Sequence, residues 1–257
     1  MDRPSLLKKL QLNKFVAIDF ETTGLQVETD RIIEVAAILF IDGEPSKRFT
    51  SLVNPGIPIP SFIEEITGIT NNMVADAPAE SKIVDDLFKF IGKHPLVAHN
   101  TPFDLAFLQS MGERHNKELP DRKLYDTLPL SRALLFFQPA HNLSAVSDFF
   151  SLSTEGAHRA EYDTENCGKI FVELVEEAAS YNLNLISRIL ALLKPFDTHN
   201  KDLFIDLANA LTQIGDLKNG LIESKIPKPT NTNIFINGGE NDITAISSHD
   251  VFGPDGH

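Results

Sequence analysis

The sequence predicts an α/β fold in which helices flank a mixed β-sheet, and three observations lead to this fold class. Three strand-like apolar runs lie close together within residues 15–53, and their short spacing favours antiparallel pairing through tight turns. Further along the chain, strand-like runs alternate with segments of helical periodicity. A hydrophobic content of 42% is typical of a globular chain that can build a full core.

Five segments have the apolar, β-branched-rich pattern of strands. They are FVAIDF at 15–20, RIIEVAAILFI at 31–41, KRFTSLV at 47–53, PLVAHN at 95–100 and KLYDT at 123–127. The Pro/Gly-rich stretch NPGIPIP at 54–60 is predicted to be a loop between the third strand and the helices that follow.

Helical spacing of apolar residues predicts the helices that cover this sheet. They are expected at 79–92, 101–112, 127–137, 142–150, 161–179, 183–193 and 201–214. Gly92 suits the C-terminal end of the first of these helices. In the second, Thr101 is predicted to be the cap and Pro102 lies in the first turn.

The pattern changes near residue 180, which predicts two parts of the chain. Residues 1–180 form the domain that contains the candidate chemistry, and residues 181–257 form a helical extension followed by a flexible linker or tail. The linker is expected from about residue 220, where Asn, Pro, Gly and Ser become frequent.

Composition narrows the classes of function. A net charge of −13 argues against a protein that coats nucleic acid through Lys and Arg, but not against an enzyme that meets phosphates through bound cations. The single cysteine, Cys167, excludes an internal disulfide bond. The sequence shows no transmembrane run and no signal peptide, so we expect a cytoplasmic protein without membrane contact.

The first strand ends in two carboxylates, Asp19 and Glu21, within FVAIDFETTG. Side chains at i and i+2 of a strand point to the same face, and two adjacent carboxylates both stay ionised only beside a strong cation. A solvated strand end with two unrelated acids is the alternative. The following Thr22, Thr23 and Gly24 favour a site, because a glycine turn with amides and hydroxyls lets a substrate backbone approach closely.

Two later segments supply the remaining candidates. In AHNTPFD, a strand end would present His99 and Asn100, and the next helix would turn Asp104 toward the same cleft. In HRAEYD, Asp163 would complete an all-oxygen site, and His158, with an ordinary pKa of about 6.5, would act as a base. Taken alone, each acid also suits the first turn of a helix, and His158 also suits a surface loop.

Four acids and one histidine match cation-assisted phosphodiester hydrolysis. Oxygen ligands select Mg²⁺ or Mn²⁺ over zinc. Two such ions about 4 Å apart would stabilise the attacking and leaving oxygens of an in-line phosphoryl displacement. The attacking water would have a lowered pKa beside a cation, and His158 would remove its proton.

The motifs DFETTG, HNTPFD and HRAEYD occur in this order and resemble the three motifs of the DnaQ-like DEDDh 3′–5′ exonucleases. The stretches NPGIPIPSFIEEITGIT and YDTLPLSRALL also fit, and the resemblance covers roughly residues 13–178. It implies an RNase H-like mixed sheet flanked by helices and two Mg²⁺ (or Mn²⁺) ions. The implied metal ligands are Asp19, Glu21, Asp104 and Asp163, and the implied general base is His158. Arg159 occupies the position where the DEDDy branch has tyrosine, which favours the histidine branch.

The resemblance also implies the reaction and the substrate. A single-stranded DNA 3′ end would enter the cleft, and 5′-mononucleotides would leave. The candidate substrate-binding residues are Phe20, Thr22, Thr23, Gly24, His99 and Asn100. Three alternatives stay open: an exonuclease that trims RNA 3′ ends, a proofreading subunit similar to the epsilon subunit of DNA polymerase III, and a non-enzymatic module that binds single-stranded ends.

The C-terminal region carries a second resemblance. The helices after residue 180 and the closing HDVFGPDGH are similar to the junction of DinG-type proteins, in which an exonuclease domain precedes a helicase. The implied partners are a helicase domain in cis or, in the alternative, a DNA polymerase subunit. The segment CGKI at 167–170 lacks the first glycine and the hydroxyl residue of a phosphate-binding loop, so we expect no ATP hydrolysis by this sequence alone.

Overall fold

A mixed β-sheet lies at the centre of the computed structural model, which describes residues 1–153, 159–196, 198–215 and 219–226. Its strands are β1 (Lys14–Thr22), β2 (Ile32–Ile41), β3 (Glu44–Leu52), β4 (Leu96–Ala98) and β5 (Leu124–Asp126). Their spatial order is β3-β2-β1-β4-β5, with β1, β2 and β3 antiparallel and β4 and β5 parallel to β1. All the predicted strands and the predicted antiparallel pairing are confirmed.

The helices in the described part of the chain cover both faces of this sheet. They are α1 (Arg3–Lys9), α2 (Ser61–Thr67), α3 (Asn71–Val74), α4 (Glu80–Ile91), α5 (Thr101–Arg114), α6 (Thr127–Leu134), α7 (Leu143–Phe149), α8 (Ala160–Ala179), α9 (Leu183–Leu193) and α10 (Lys201–Ile214). The predicted helices correspond to α4 through α10, while α1, α2 and α3 were not predicted. Among these residues, no helix combines the length and apolar character needed to cross a lipid bilayer.

Apolar clusters on the two faces of the sheet fix the direction of each β1 side chain. Phe15 and Ala17 pack in the cluster with α8, while Val16, Ile18 and Phe20 pack in the cluster with α4 and α5. Because consecutive side chains of a strand alternate between faces, Asp19 and Glu21 belong to the α8 face. The register of β1 therefore directs both acids toward the helix that contains Asp163.

A glycine sets the distance between α8 and the sheet. A Cβ atom built on Gly168 would lie 2.2 Å from Cε2 of Phe40, which belongs to β2. Phe40 is fully buried and stacks on Phe15 with 4.9 Å between ring centroids, so little space is available for its ring to move. The missing side chain at Gly168 thus allows the close approach that brings the start of α8 to the end of β1.

The two C-terminal helices share the core of α8. Ile186 of α9 and Leu203 and Leu207 of α10 are fully buried in the same cluster as Phe171 of α8. One compact unit extends over Met1–Ile226. The functional boundary at residue 180 stays a prediction, but the packing on either side of it is continuous.

The predicted linker begins inside this folded unit. Leu221 is buried, and its backbone N–H donates to the carbonyl of Ala179 at 2.7 Å. Lys225 Nζ lies 2.5 Å from Oε2 of Glu176 on α8. Residues 219–226 therefore pack back on α8, whereas the rest of the predicted linker and tail, residues 227–257, lies outside the described residues.

Candidate active site

Three carboxylates from two distant segments meet beside the end of β1. Asp19, Glu21 and Asp163 each offer an oxygen, and these three oxygens all lie within 4.8 Å of one another. Asp19 and Glu21 share one face of β1, and Asp163 lies in the first turn of α8. The result is an all-oxygen donor set of the kind that hard divalent cations prefer.

The pKa values of these acids report a shortage of positive charge. Burial raises the pKa of Asp19 to about 8, and the negative charges of Asp163 and Glu34 add to the effect. Burial and the charges of Asp19 and Asp163 likewise raise the pKa of Glu21 to about 9, although Arg159 opposes this. A divalent cation would supply the missing charge, so the chemistry of this donor set fits a resident metal ion.

Asp104 approaches from the β4 side of β1. Strand β4 ends at Ala98. Beyond this end, Asp104 Oδ1 accepts a hydrogen bond of 3.1 Å from the backbone N–H of Phe20 on β1. The carboxylate is 2% exposed, and burial together with the charge of Asp19 holds its pKa well above the usual range. Its oxygens are not among the three described oxygens that lie within 4.8 Å of one another. Asp104 is thus a buried neighbour of Asp19.

The start of α5 differs from the prediction. Asn100, not Thr101, is the N-cap; it has a left-handed φ of 75°, and its own side chain makes no capping hydrogen bond. Instead, Asp126 Oδ1 accepts from the N–H of Asn100 at 2.9 Å, and Oδ2 accepts from the N–H of Thr101 at 3.1 Å. The Thr101 hydroxyl donates to the carbonyl of Tyr125 at 2.8 Å. Asp126, which was not among the predicted site residues, therefore fixes the helix that presents Asp104.

Glu34 anchors the start of α8 and was also missed. It lies directly across from Glu21 in the pairing of β1 and β2. Its Oε1 accepts from Arg159 Nη2 at 2.7 Å, and its Oε2 accepts from the buried N–H of Ala160 at 3.0 Å. A charged residue in the middle of the apolar run RIIEVAAILFI is the sequence signal that could have identified it.

The hydroxyl groups of Thr22 and Thr23, which were predicted to contact substrate, form hydrogen bonds within the turn after β1. Thr22 Oγ1 donates to the carbonyl of Gly24 at 2.6 Å. Thr23 Oγ1 donates to Asp30 Oδ1 and accepts from the N–H of Arg31, both at 3.0 Å. A Cβ atom on Gly24 would lie 2.5 Å from Asp30 Oδ2, so a larger residue here would displace the Asp30 carboxylate. These residues build the turn, and a substrate-binding role for them stays a prediction.

The other predicted substrate residues have different surroundings. Phe20 is 4% exposed and its ring packs on the face opposite Asp19, and substrate binding by Phe20 stays a prediction. His99 Nδ1 lies 2.9 Å from Thr127 Oγ1, and burial lowers the pKa of His99 to about 4. Asn100 is exposed, and substrate binding by His99 and Asn100 stays a prediction. His158 lies outside the described residues.

A groove of about 730 Å³ runs between β3 and the first turns of α8. Its lining includes Glu34 and Arg159, so it begins at the pair that anchors α8. Arg48 on β3 pairs with two acids of α8, Glu161 and Glu165. The two arginines named here, Arg48 and Arg159, therefore each pair with a carboxylate at the groove.

Comparisons with known proteins agree with this geometry. The model of the exonuclease family matches residues 16–171. The 3′–5′ exonuclease DinG of Bacillus subtilis (strain 168) is 34% identical over 197 residues, which are 75% of this chain and 21% of that protein. A PolC-type DNA polymerase III of Latilactobacillus sakei subsp. sakei (strain 23K) is 36% identical over 170 residues, which are 66% of this chain and 12% of that protein.

Among solved structures, exonuclease X in complex with 5′ overhanging duplex DNA has a TM-score of 0.50 and 27% sequence identity. The match covers 63% of this chain and 91% of that one. The predicted mixed sheet flanked by helices is thus confirmed as the fold of these exonucleases. The chain spans only a small part of the length of the two curated relatives.

Proposed function

Because the chain belongs to the exonuclease family, whose model matches residues 16–171, we propose that it removes nucleotides from the 3′ end of single-stranded DNA and releases 5′-mononucleotides. The observation that carries this proposal is the convergence of Asp19, Glu21 and Asp163 within 4.8 Å. The relative named as a 3′–5′ exonuclease supports the polarity, and the complex of exonuclease X with 5′ overhanging duplex DNA supports DNA as the substrate class.

We assign two Mg²⁺ or Mn²⁺ ions to Asp19, Glu21, Asp104 and Asp163. Ions bound there would supply the positive charge that stabilises a phosphate during in-line displacement. The protein contributes the positions of the ligands: Asp104 is tied to the backbone of β1, and Glu34 holds the start of the helix that contains Asp163.

His158 is the proposed general base. It lies five residues before Asp163, and it directly precedes Arg159, whose guanidinium is held by Glu34. A neutral imidazole accepts a proton from an attacking water near neutral pH. We expect His158→Ala to lower turnover strongly while metal binding is largely retained; a loss of metal binding would make His158 a ligand instead.

Degradation of end-labelled oligonucleotides in Mg²⁺ and in Mn²⁺ tests the reaction and its polarity. With a 5′ label the enzyme should give a ladder of shortened strands, and with a 3′ label it should release labelled mononucleotide at once. Asp19→Ala should abolish release, whereas Asp76→Asn, at an exposed acid, should not change it. Undiminished release by Asp19→Ala would contradict the proposal.

The same assay separates the alternatives. Faster degradation of RNA than of DNA would assign the substrate to RNA, whose 2′-hydroxyl is read by local contacts. A binding module would hold single-stranded DNA in EDTA without cleaving it, whereas the enzyme should need divalent ions for tight binding and cleavage. Four clustered carboxylates repel phosphate, which is why we favour the enzyme.

We further propose that this nuclease works beside other DNA-processing activities. The similarity to DinG extends over 197 residues, more than the span matched by the exonuclease model, and it supports a helicase domain in cis. The PolC-type relatives support a DNA polymerase as the alternative partner. ATP hydrolysis stimulated by single-stranded DNA, in a polypeptide that joins this chain to further domains, would favour the helicase context over the polymerase.

A further inference from the structure

We propose that Asn200, at the N-cap of α10, is a positioning residue for the nuclease site. The inference rests on the proposed function, and it makes the C-terminal helices part of the catalytic unit. Asn200 lies outside the segment that the exonuclease family model matches. The contact that suggests the role is a two-point hydrogen bond between the side chain of Asn200 and the main chain of Asp126.

The side chain of Asn200 binds the outer edge of β5. This three-residue strand pairs with β4 and is the last strand of the sheet in the described residues. The N–H of Asp126 donates to Asn200 Oδ1 at 2.9 Å, and Asn200 Nδ2 donates to the carbonyl of Asp126 at 2.8 Å. Both residues are buried, at 6% and 5% exposure. The amide of Asn200 thus satisfies a buried peptide group as a further strand would, and losing it would leave two buried polar atoms unpaired.

The carboxylate of Asp126 connects β5 to the start of α5. While Asn200 holds its main chain, the Asp126 carboxylate accepts from the N–H groups of Asn100, Thr101 and Leu128. It therefore fixes the left-handed turn at Asn100 and the first turns of both α5 and α6. A shift of the Asp126 backbone would be passed to α5 through these hydrogen bonds.

Asp104 connects the start of α5 to the strand that contains Asp19 and Glu21. Asp104 lies in the first turn of α5, one helical turn from Thr101, and its Oδ1 is bonded to the N–H of Phe20 beside Asp19. The path from Asn200 to Asp104 therefore consists of two hydrogen-bonded contacts and one turn of helix. Reaction rates respond steeply to such placement, because a shift of about 1 Å can lower them about 10²-fold.

A second contact between α10 and β5 provides a matched control. Lys123 Nζ, one residue before β5, lies 2.6 Å from Asp206 Oδ2 on α10. This ion pair ties the same helix to the same strand without touching Asp126. A variant that breaks it weakens the attachment of α10 but leaves the positioning contact in place.

The experiment compares Asn200→Ala, Asn200→Gln and Asp206→Asn in the full chain. Mn²⁺ binding is measured by calorimetry without DNA, and kcat and KM are measured for nucleotide release from a single-stranded oligonucleotide. Asn200→Ala should weaken Mn²⁺ binding and lower kcat, each by about tenfold, with KM changed less than about twofold. Asn200→Gln keeps both the acceptor and the donor on a side chain one methylene longer and should recover part of both losses, and Asp206→Asn should match the wild type.

Two results would overturn the inference: a folded Asn200→Ala with wild-type Mn²⁺ affinity and kcat, or equal losses in Asp206→Asn. If Asn200→Ala does not fold, Asn200→Gln decides by the same criteria, because it keeps a donor and an acceptor and should fall between the wild type and complete loss. Failure of the proposed function looks different. A wild-type chain that degrades no oligonucleotide would contradict the nuclease assignment, while the Mn²⁺ affinities of the folded variants would still decide the role of Asn200.

Discussion

Glu34 and Arg159 form an ion pair where β2 meets the start of α8, with Arg159 Nη2 2.7 Å from Glu34 Oε1. Glu34 on β2 is the pairing partner of Glu21 on β1, and Glu21 is a proposed metal ligand. The two carboxylate oxygens of Glu34 nevertheless bind Arg159 and the N–H of Ala160. Glu34 is therefore placed to hold the helix that contains Asp163. It is a positioning residue in this scheme, and Arg159 balances its charge.

Replacing Glu34 should loosen the start of α8. Glu34→Ala leaves the buried N–H of Ala160 without its acceptor, and we expect the free energy of unfolding to fall by about 1–3 kcal/mol. The ion pair adds little to this value, because Arg159 is half exposed and its charge is screened. Nucleotide release should fall about tenfold through misplacement of Asp163. Urea unfolding and the release assay measure the two effects.

Two further variants sharpen this prediction. Glu34→Gln keeps an oxygen for Ala160 and should lose less stability than Glu34→Ala. Glu161→Gln removes an exposed acid that pairs with Arg48 and should change stability by less than about 0.5 kcal/mol. Equal behaviour of Glu34→Ala and Glu161→Gln would contradict the anchoring role.

Gly168→Ala should destabilise the protein even though alanine is the better helix former. The helix preference for alanine over glycine is about 1 kcal/mol, but the new methyl group would meet the ring of Phe40 at 2.2 Å. We expect a net loss of about 1–3 kcal/mol in the free energy of unfolding, as for other overpacked cores. Thermal or urea unfolding measures it.

A double-mutant cycle with Phe40→Leu checks the cause. If the ring of Phe40 is the obstacle, the smaller leucine should relieve part of the strain, and the two substitutions together should cost less than the sum of their separate effects. Additive losses would instead place the cost of Gly168→Ala elsewhere in the structure.

The longer elements could be predicted because their apolar residues repeat at a regular period. The helices α4 through α10 and all the strands were found in this way, but α1, α2 and α3 have only 7, 7 and 4 residues. Such short segments show little of a 3.6-residue period, but length alone does not decide, since α7 also has 7 residues and β4 and β5 have 3 each, and these were predicted. The side chains of Leu6 and Leu7 of α1 are fully buried, yet one adjacent apolar pair does not distinguish a helix from a loop.

The candidate ligands could be predicted, but the residues that hold them could not. Alternation along β1 and the three motifs place Asp19, Glu21, Asp104 and Asp163, whereas Glu34 binds a partner 125 positions away. No local pattern links two such segments. The surroundings of Phe20 follow from the same alternation, since the pattern that directs Asp19 toward α8 directs the ring of Phe20 into the opposite core.

His99 should make the protein sensitive to acid. Burial lowers its pKa from 6.5 to about 4, so below pH 6.5 the unfolded chain binds a proton that the folded chain excludes. The free energy of unfolding should therefore fall between pH 7.5 and pH 5, by about 2 kcal/mol from this group. His99→Gln should remove this part of the pH dependence in urea unfolding experiments. Parallel pH profiles for the variant and the wild type would exclude His99 as the source.

Asp19→Asn should abolish nucleotide release and, in EDTA, stabilise the fold. The pKa of Asp19 is raised from 3.8 to about 8, so between these values the folded protein retains a proton that the unfolded chain releases. The free energy of unfolding of the metal-free wild type should consequently fall as pH rises from about 4 to about 8. Asparagine carries no charge, so at pH 7.5 the variant should be more stable by at least about 1 kcal/mol.

Adding Mn²⁺ should reverse this order, and the reversal separates a metal site from an accidental cluster of acids. A cation that binds only the folded state stabilises the wild type by mass action, while Asp19→Asn has lost a ligand and should gain less. Asp76→Asn, at an exposed acid, should follow the wild type with and without Mn²⁺. If Mn²⁺ stabilises the wild type and Asp19→Asn equally, Asp19 does not hold the ion, because the substituted carboxylate would then make no difference to binding.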